Sequence, residues 1–523
     1  MASSNGSSAS SKLVKGSFLI IISNLIFRFG GYIYRMLMGQ LLGPQGYGLL
    51  GLTLPFQGIF QILSAGGLPP AIAKYVAQHK ALGEDQMARQ VVFTSLKLMI
   101  FLGIFFSILM FFSAPWLANE VFGKPLVAYP LQAVALITPF SVIVGAFRGA
   151  FQGLYKMEYI VATRAVEQIF MITFAVVLVM AGFYAAGAVL GTAVGFAASA
   201  LSAYIIFKKY LWKYLPEIDP EHRFSFRQEL GLIKTLLSFS IPVIITALSE
   251  MAIYDIGIFV MGVYMALQDI GYYTAADPLA RLPLVISLSV ATAVLPAASE
   301  AFALKDKELL TTYMVQSYRI VILLVLPMCV GIALFSQPIL GQLFGSDFTS
   351  GYVALSILVI GMTFYTLFMV GSSIVQGIGY PRHPMYILIA GAGLNLALNL
   401  ALVPVYGIEG AALATTIAAF IIMVAILIQT YRITKINPPF RAFGKIIGAS
   451  LVMGAAIFFL PQNLLGLVLA VIISPVVYTV SLLLLGGFEK RDVRLLRKVT
   501  RKAGPLSGFL ERIMVVIDRF TSE

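Results

Sequence analysis

About fourteen apolar stretches, each near the twenty residues a helix needs to cross a bilayer core, run along this chain. They fall roughly at 16–38, 46–68, 91–115, 126–150, 157–181, 184–207, 237–263, 270–297, 312–336, 351–377, 384–404, 408–430, 443–461 and 464–487. Turn-forming pairs separate them, among them Gly43-Pro44, Pro69-Pro70, Tyr380-Pro381 and Pro438-Pro439. A soluble domain carries about 25% charged residues. Here 11% of 523 residues are charged and 59% are hydrophobic. Too few polar groups remain to coat a soluble particle. The predicted fold class is therefore all-α, a polytopic membrane bundle.

The placement of charge orients the spans. With the N-terminus inside, about 31 of the 36 lysines and arginines fall in alternate, cytoplasmic segments. The outer loops hold little beyond Lys124. Basic residues stay on the cytoplasmic side, so both termini are expected there, in a cell membrane. The net charge of +13 then points to anionic lipid at the cytoplasmic face, not to nucleic acid. A single cysteine, Cys329, excludes an internal disulfide, and His79, His222 and His383 lack zinc-ligand spacing. No metal and no cofactor are expected.

The chain repeats itself. Gln152-Gly153 and Gln376-Gly377 stand 224 residues apart, and Gly187-Ala188 and Gly410-Ala411 stand 223 apart. Gly46-Tyr47 matches Gly271-Tyr272 at 225, and Pro70 matches Pro296 at 226. Six spans separate the copies, so both enter the membrane in the same sense. The expected layout is a disordered tail at 1–15, a first lobe of six spans at 16–210 and a cytoplasmic linker at 211–236. A second lobe follows at 237–430, an extra helix pair at 431–487 and a basic amphipathic tail at 488–523. Two such lobes typically enclose a path at their interface and work by alternating access. The amphipathic stretch around Phe509–Phe520 suits a helix lying on the cytoplasmic leaflet, or a solvated tail.

At the repeated segments a resemblance emerges. GAFRGAFQGLYKMEYIVATRAVEQI (145–169) resembles the Arg-Gly-x-x-Gln-Gly…Glu-Gln motif of exporters related to stage V sporulation protein B. The stretch 376–415, from Gln376 to Thr415, resembles their second-half signature, and 271–301 fits as well. The family is the multidrug/oligosaccharidyl-lipid/polysaccharide exporter superfamily. The resemblance implies a two-lobed bundle that flips a polyprenyl-pyrophosphate-linked sugar outward. It also implies cavity arginines on the first and eighth spans, matched here by Arg28, Arg35 and Arg281.

The residues support the same places independently. A charge near the bilayer centre is costly and faces a partner or a wet cavity. Arg28 sits near the middle of the first span, and Arg35 lies two turns on along the same face. Either both line a cavity, or Arg35 snorkels outward while Arg28 pairs with a carboxylate. Asp277 and Arg281 are four apart and can touch. Glu250 and Asp255 are about 140° apart around their helix, so they do not form one two-carboxylate site. These three acids are candidates for ion coupling or charge pairing. Arg148, Arg164 and Glu167 read best as a structural clamp, with Arg164 and Glu167 in i,i+3 contact.

Arginine suits a pyrophosphate, because its planar fork grips phosphate oxygens in pairs. Asn24, Gln57, Gln61, Gln152 and Ser249 can offer hydrogen bonds to a sugar, or act as helix–helix glue. The rival from the same superfamily is a cation-coupled drug antiporter. The first four spans hold no carboxylate, and the first carries two arginines, which disfavours a cationic drug. A sugar-transferring enzyme needs acids or metal in sizeable aqueous loops, and only scattered acids such as Glu120, Asp347 and Glu409 occur there. No enzyme activity is expected. A scaffold without transport leaves the buried charges unexplained. A monomer is expected, because the repeat builds its own path.

Overall fold

The computed structural model describes the backbone of residues 2–215 and 224–487, and their side chains from Ile26 onward apart from Lys213. No β-strand occurs among the described residues. Bilayer hydrocarbon offers no hydrogen-bonding partner, so each backbone N–H and C=O must be satisfied within its own helix. The helices are α1 (Ala2–Ala65), α2 (Leu68–Ala81), α3 (Asp85–Trp116), α4 (Ala128–Gly153), α5 (Met157–Leu178), α6 (Tyr184–Ile206), α7 (Phe226–Tyr264) and α8 (Leu267–Ala280). They continue with α9 (Leu284–Ala303), α10 (Lys307–Leu334), α11 (Ser336–Leu343), α12 (Tyr352–Gly377), α13 (Arg382–Thr434), α14 (Phe440–Phe458) and α15 (Leu464–Leu484).

Among the described residues, 11 helical stretches are long and apolar enough to cross a membrane. Three of them, Ile26–Ala81, Met157–Leu211 and Arg382–Thr434, are of double length. A glycine with non-helical backbone divides each one: Gly43 (φ 64°), Gly182 (φ 93°) and Gly407 (φ 59°), with a second in the first stretch at Gly67 (φ 76°), just ahead of α2. Positive φ is the conformation glycine adopts without steric cost. Counting each double stretch as two passes gives fourteen, the number read from the sequence.

Four details differ from the sequence reading. Helix α1 begins at Ala2, ahead of residue 16. Residues 69–81, left between spans with Pro69-Pro70 as a breaker, belong to α2; the two prolines sit in its first turn, where a missing N–H costs nothing. The eighth span is not continuous over 270–297. It breaks between α8 and α9 at residues 281–283, where Pro283 caps α9 and turn bonds such as Leu284 N–H to Arg281 O replace the helical ladder. Arg319, counted among cytoplasmic charges, is 4% exposed within α10 and donates to the Gly487 carbonyl at 2.5 Å. The expected amphipathic tail lies outside the described residues.

Compactness divides the chain into Met1–Thr274 and Ala275–Glu523. In the first unit α4 is central and packs on α2, α3 and α6. Leu68, Ile72, Val76, Val91, Met99, Phe147 and Phe151 fill that core. Helix α7 opens the second sequence repeat yet packs against α1, α2 and α3. Lys124, expected on the outer side, finds backbone acceptors. Lys124 Nζ donates to the Gly262 carbonyl at 2.5 Å, near the end of α7, and to Phe122 O at 3.2 Å. A cation is favourable at a helix C-terminus.

Gly187, Gly191 and Gly195 form a small-residue stripe on α6 that lets α5 approach closely. A Cβ at Gly191 would overlap the Ala175 backbone. Gly191→Leu is expected to destabilise the protein by about 1–3 kcal/mol through forced backbone shifts. Thermal unfolding in detergent, compared with an exposed Leu201→Ala control, checks this.

In the second unit α12 packs on α9, α10 and α13, and α14 packs on α10 and α15. The repeat is visible inside each unit by itself. Gly153 abuts Ala73 and Val76, just past Pro70; Gly377 abuts Leu295 and Ala298, flanking Pro296. Gly187 abuts Leu178 beyond the Gly182 turn, and Gly410 abuts Leu402 beyond the Gly407 turn.

Candidate functional site

The first span presents three faces. Gly30, Tyr34 and Met38 are buried. Tyr34 donates its hydroxyl to the Ala188 carbonyl at 3.0 Å and accepts from Thr192 Oγ1 at 3.3 Å, which fixes the rotation of α1 against α6. Gly30 lies directly on the Gln168 side chain, so a Cβ there would overlap it. Phe29 (65% exposed) and Ile33 (49%) form an apolar outer face suited to lipid. At 100° per residue, Arg28, Gly31 and Arg35 occupy a separate sector between these two. Both arginines are half-buried, and a Cβ at Gly31 would meet nothing within 4 Å. Neither arginine has an ion-pair or hydrogen-bond partner among the described residues. Two like charges on one open stripe repel and are relieved by an anion.

A third guanidinium stands close by. Arg164 of α5 lies over the Phe27 ring, 4.9 Å from its centroid, and its Nε has no hydrogen-bond partner. Gln168 Oε1 and Gln61 Nε2 are likewise buried and unpartnered. Gln57, one turn before Gln61, is half-buried. The Asn24 side chain lies outside the described residues.

The clamp takes a different form from the i,i+3 pair expected at Arg164 and Glu167. Glu167 pairs with Arg148 of α4 at 2.7 Å. Arg148 also donates to Thr163 Oγ1 at 3.1 Å and Ser199 Oγ at 3.2 Å. Ser199 in turn donates to the Thr163 carbonyl at 3.0 Å. One arginine thus ties α4, α5 and α6 together. The side chain of Glu167 is 2% exposed, and Arg148 is the ion-pair partner that compensates its burial. Arg164 is left to its cation–π contact.

In the second unit Arg281 closes on Asp277 at 2.7 Å, at the break after α8. That pairing leaves Arg281 less free for an anion than Arg28. Glu250 of α7, in the first unit, is exposed and has no ion pair among the described residues, while Asp255 is half-buried. Ser249 gives its hydroxyl to its own helix at Ile245 O, 2.8 Å away, and Gln152 is exposed at the end of α4. The sequence reading passed over one group. Asn395 and Asn399 of α13 are fully buried, and Asn399 Nδ2 donates to Asn395 Oδ1 at 2.9 Å. Two amides four residues apart in an apolar helix were the available signal.

Fourteen apolar passes, a duplicated half and arginines on the first span that have no ion pair among the described residues fit the membrane-transporter class of helical bundle. The chain belongs to the polysaccharide biosynthesis protein family, which matches residues 13–302, within the multidrug/oligosaccharidyl-lipid/polysaccharide superfamily. The MatE family matches residues 242–401. Among curated relatives, an uncharacterised membrane protein of Methanocaldococcus jannaschii is 28% identical, over 81% of this chain and 99% of that one. Stage V sporulation protein B of Bacillus subtilis is 27% identical over 82% and 85%, and the same organism's lipid II flippase MurJ is 26% identical over 78% and 80%. A solved structure of lipid II flippase MurJ, in an inward closed conformation, superposes with a TM-score of 0.71 at 18% identity, over 89% of this chain and 98% of that one. A multidrug resistance MATE family transporter, inward-facing, gives 0.69 at 18% identity over 79% and 98%. Both likenesses establish the fold.

Proposed function

We propose that this protein flips a polyprenyl-pyrophosphate-linked sugar outward across the cell membrane, with both termini in the cytoplasm. One observation carries the reading: the open Arg28–Gly31–Arg35 stripe has two guanidiniums and no carboxylate partner among the described residues. A pyrophosphate supplies the missing anion, and a guanidinium binds it through paired hydrogen bonds. The family and the relatives named lipid II flippase and stage V sporulation protein B support it. In this reading Arg28 and Arg35 hold the head group, while Gln57 and Asn24 offer hydrogen bonds to the sugar. Arg281, in the second unit, is a separate candidate contact for an anion. Glu250, Asp255 and Asp277 are left for ion coupling or charge pairing.

Outward movement of about two negative charges from a negative-inside cell gains roughly 5 kcal/mol per 100 mV, twice the single-charge value. Net flux in vesicles is therefore expected to fall when the potential is clamped at zero. An unchanged net rate contradicts potential driving.

A second reading, cation-coupled drug antiport, is favoured by unpaired Glu250 and by the MatE match. Native mass spectrometry of the detergent-purified protein separates the two. Offered a polyprenyl-pyrophosphate sugar beside a panel of cationic drugs, the protein is expected to retain the lipid. Retention of drugs alone would establish the second reading.

A further inference from the structure

The first unit carries a pocket that the arginine stripe does not use. It has a volume of about 400 Å³ and lies where three turns meet: the Gly43 turn, residues 125–130 before and within α4, and the Gly182 turn. The charge pattern places these turns on the outer side. Gln45, Leu126, Tyr129, Phe183 and Tyr184 are among its lining residues, and none of the lining residues is charged. Tyr129 is 74% exposed and Tyr184 70%. Neither hydroxyl has a hydrogen-bond partner among the described residues. Open rings with free hydroxyls beside an amide suit a neutral, ring-shaped, hydroxyl-rich ligand.

Two further observations separate this cluster from ordinary interfacial tyrosines. Tyr184 holds φ 48° and ψ −140°, outside the left-handed region that non-glycine residues tolerate. Strain of this kind gathers at binding sites. Exposed tyrosines occur in the other copy too, at Tyr352 and Tyr406, but the strain does not: with Gly182 matched to Gly407, Tyr184 corresponds to Glu409, whose φ is not positive.

We infer that this outer pocket is a binding site for a neutral saccharide unit, reached by the sugar head group on the extracytoplasmic side. The identity of that sugar as cargo rests on the function proposed above; the pocket's preference for an uncharged saccharide does not.

The test uses the full-length protein in nanodiscs, with saturation-transfer NMR titrations of maltose, lactose, mannobiose and N,N′-diacetylchitobiose. At least one disaccharide is expected to bind, at least tenfold more weakly in Tyr129→Ala and Tyr184→Gly. Tyr184→Phe, which loses only the hydroxyl, should fall between, and Leu201→Ala, near the other end of α6, should stay within twofold of wild type. Tyr184→Gly relieves the backbone and keeps the protein folded, which a melting curve verifies. Binding of none of the four, or binding unmoved by Tyr129→Ala and Tyr184→Gly, overturns the inference. Saccharide binding without flipping of the lipid-linked sugar sinks the proposed function and leaves the pocket standing. Flipping without saccharide binding does the reverse.

Discussion

Arg148→Ala is expected to cost about 3–5 kcal/mol of folding stability, because it strands a buried carboxylate. Glu167 has a 2% exposed side chain and Arg148 as its ion-pair partner at 2.7 Å. The same substitution removes the donors to Thr163 and Ser199, loosening α4 from α5 and α6 together. Stability of that order is comparable to the whole margin of many proteins. The variant should therefore unfold far earlier in a denaturant titration in mixed micelles. Removing both charges is the sharper comparison. Arg148→Met combined with Glu167→Leu replaces the pair by apolar bulk and should recover most of the loss. A single variant as stable as wild type would show that the pair does not hold the three helices.

Arg28→Ala is expected to weaken pyrophosphate-lipid binding by about 10- to 150-fold, the value of one charged hydrogen-bonding contact of about 1.5–3 kcal/mol. Arg28→Lys should fall between, since lysine keeps the charge and loses the planar fork. Arg35→Ala should weaken binding as well. None of the three should alter melting much, because both arginines are half-buried and have no partner among the described residues. Titrations with the same lipid, read beside melting curves, separate lost recognition from lost folding. Undiminished binding by Arg28→Ala would remove this residue from the site.

The spans and the repeat were legible because they rest on composition and on periodic glycines. Gly43, Gly182 and Gly407 mark turns in the sequence as they do in the fold. The break at residues 281–283 was hidden, since the flanking residues remain apolar and hydropathy does not register a lost backbone donor at Pro283. The clamp of Arg148, Arg164 and Glu167 was legible as a group, but not which arginine pairs with Glu167. Spacing reveals neighbours one turn away, such as Arg164, and Arg148 reaches it from a different helix. Arg319 falls inside the span read at 312–336, and the Gly487 carbonyl that accepts from it lies too far along the chain for spacing to reveal. Arg28 and Arg35 were visible as charges in an apolar run. That neither has a partner among the described residues emerges only once Tyr34 fixes how α1 is turned.

Transbilayer movement of a fluorescent polyprenyl-pyrophosphate oligosaccharide in proteoliposomes tests the central claim most directly. Wild type is expected to move the labelled lipid well above the protein-free rate, and the double variant Arg28→Ala/Arg35→Ala to return it to that rate. Wild type no faster than empty vesicles, or a double variant as fast as wild type, would contradict the account.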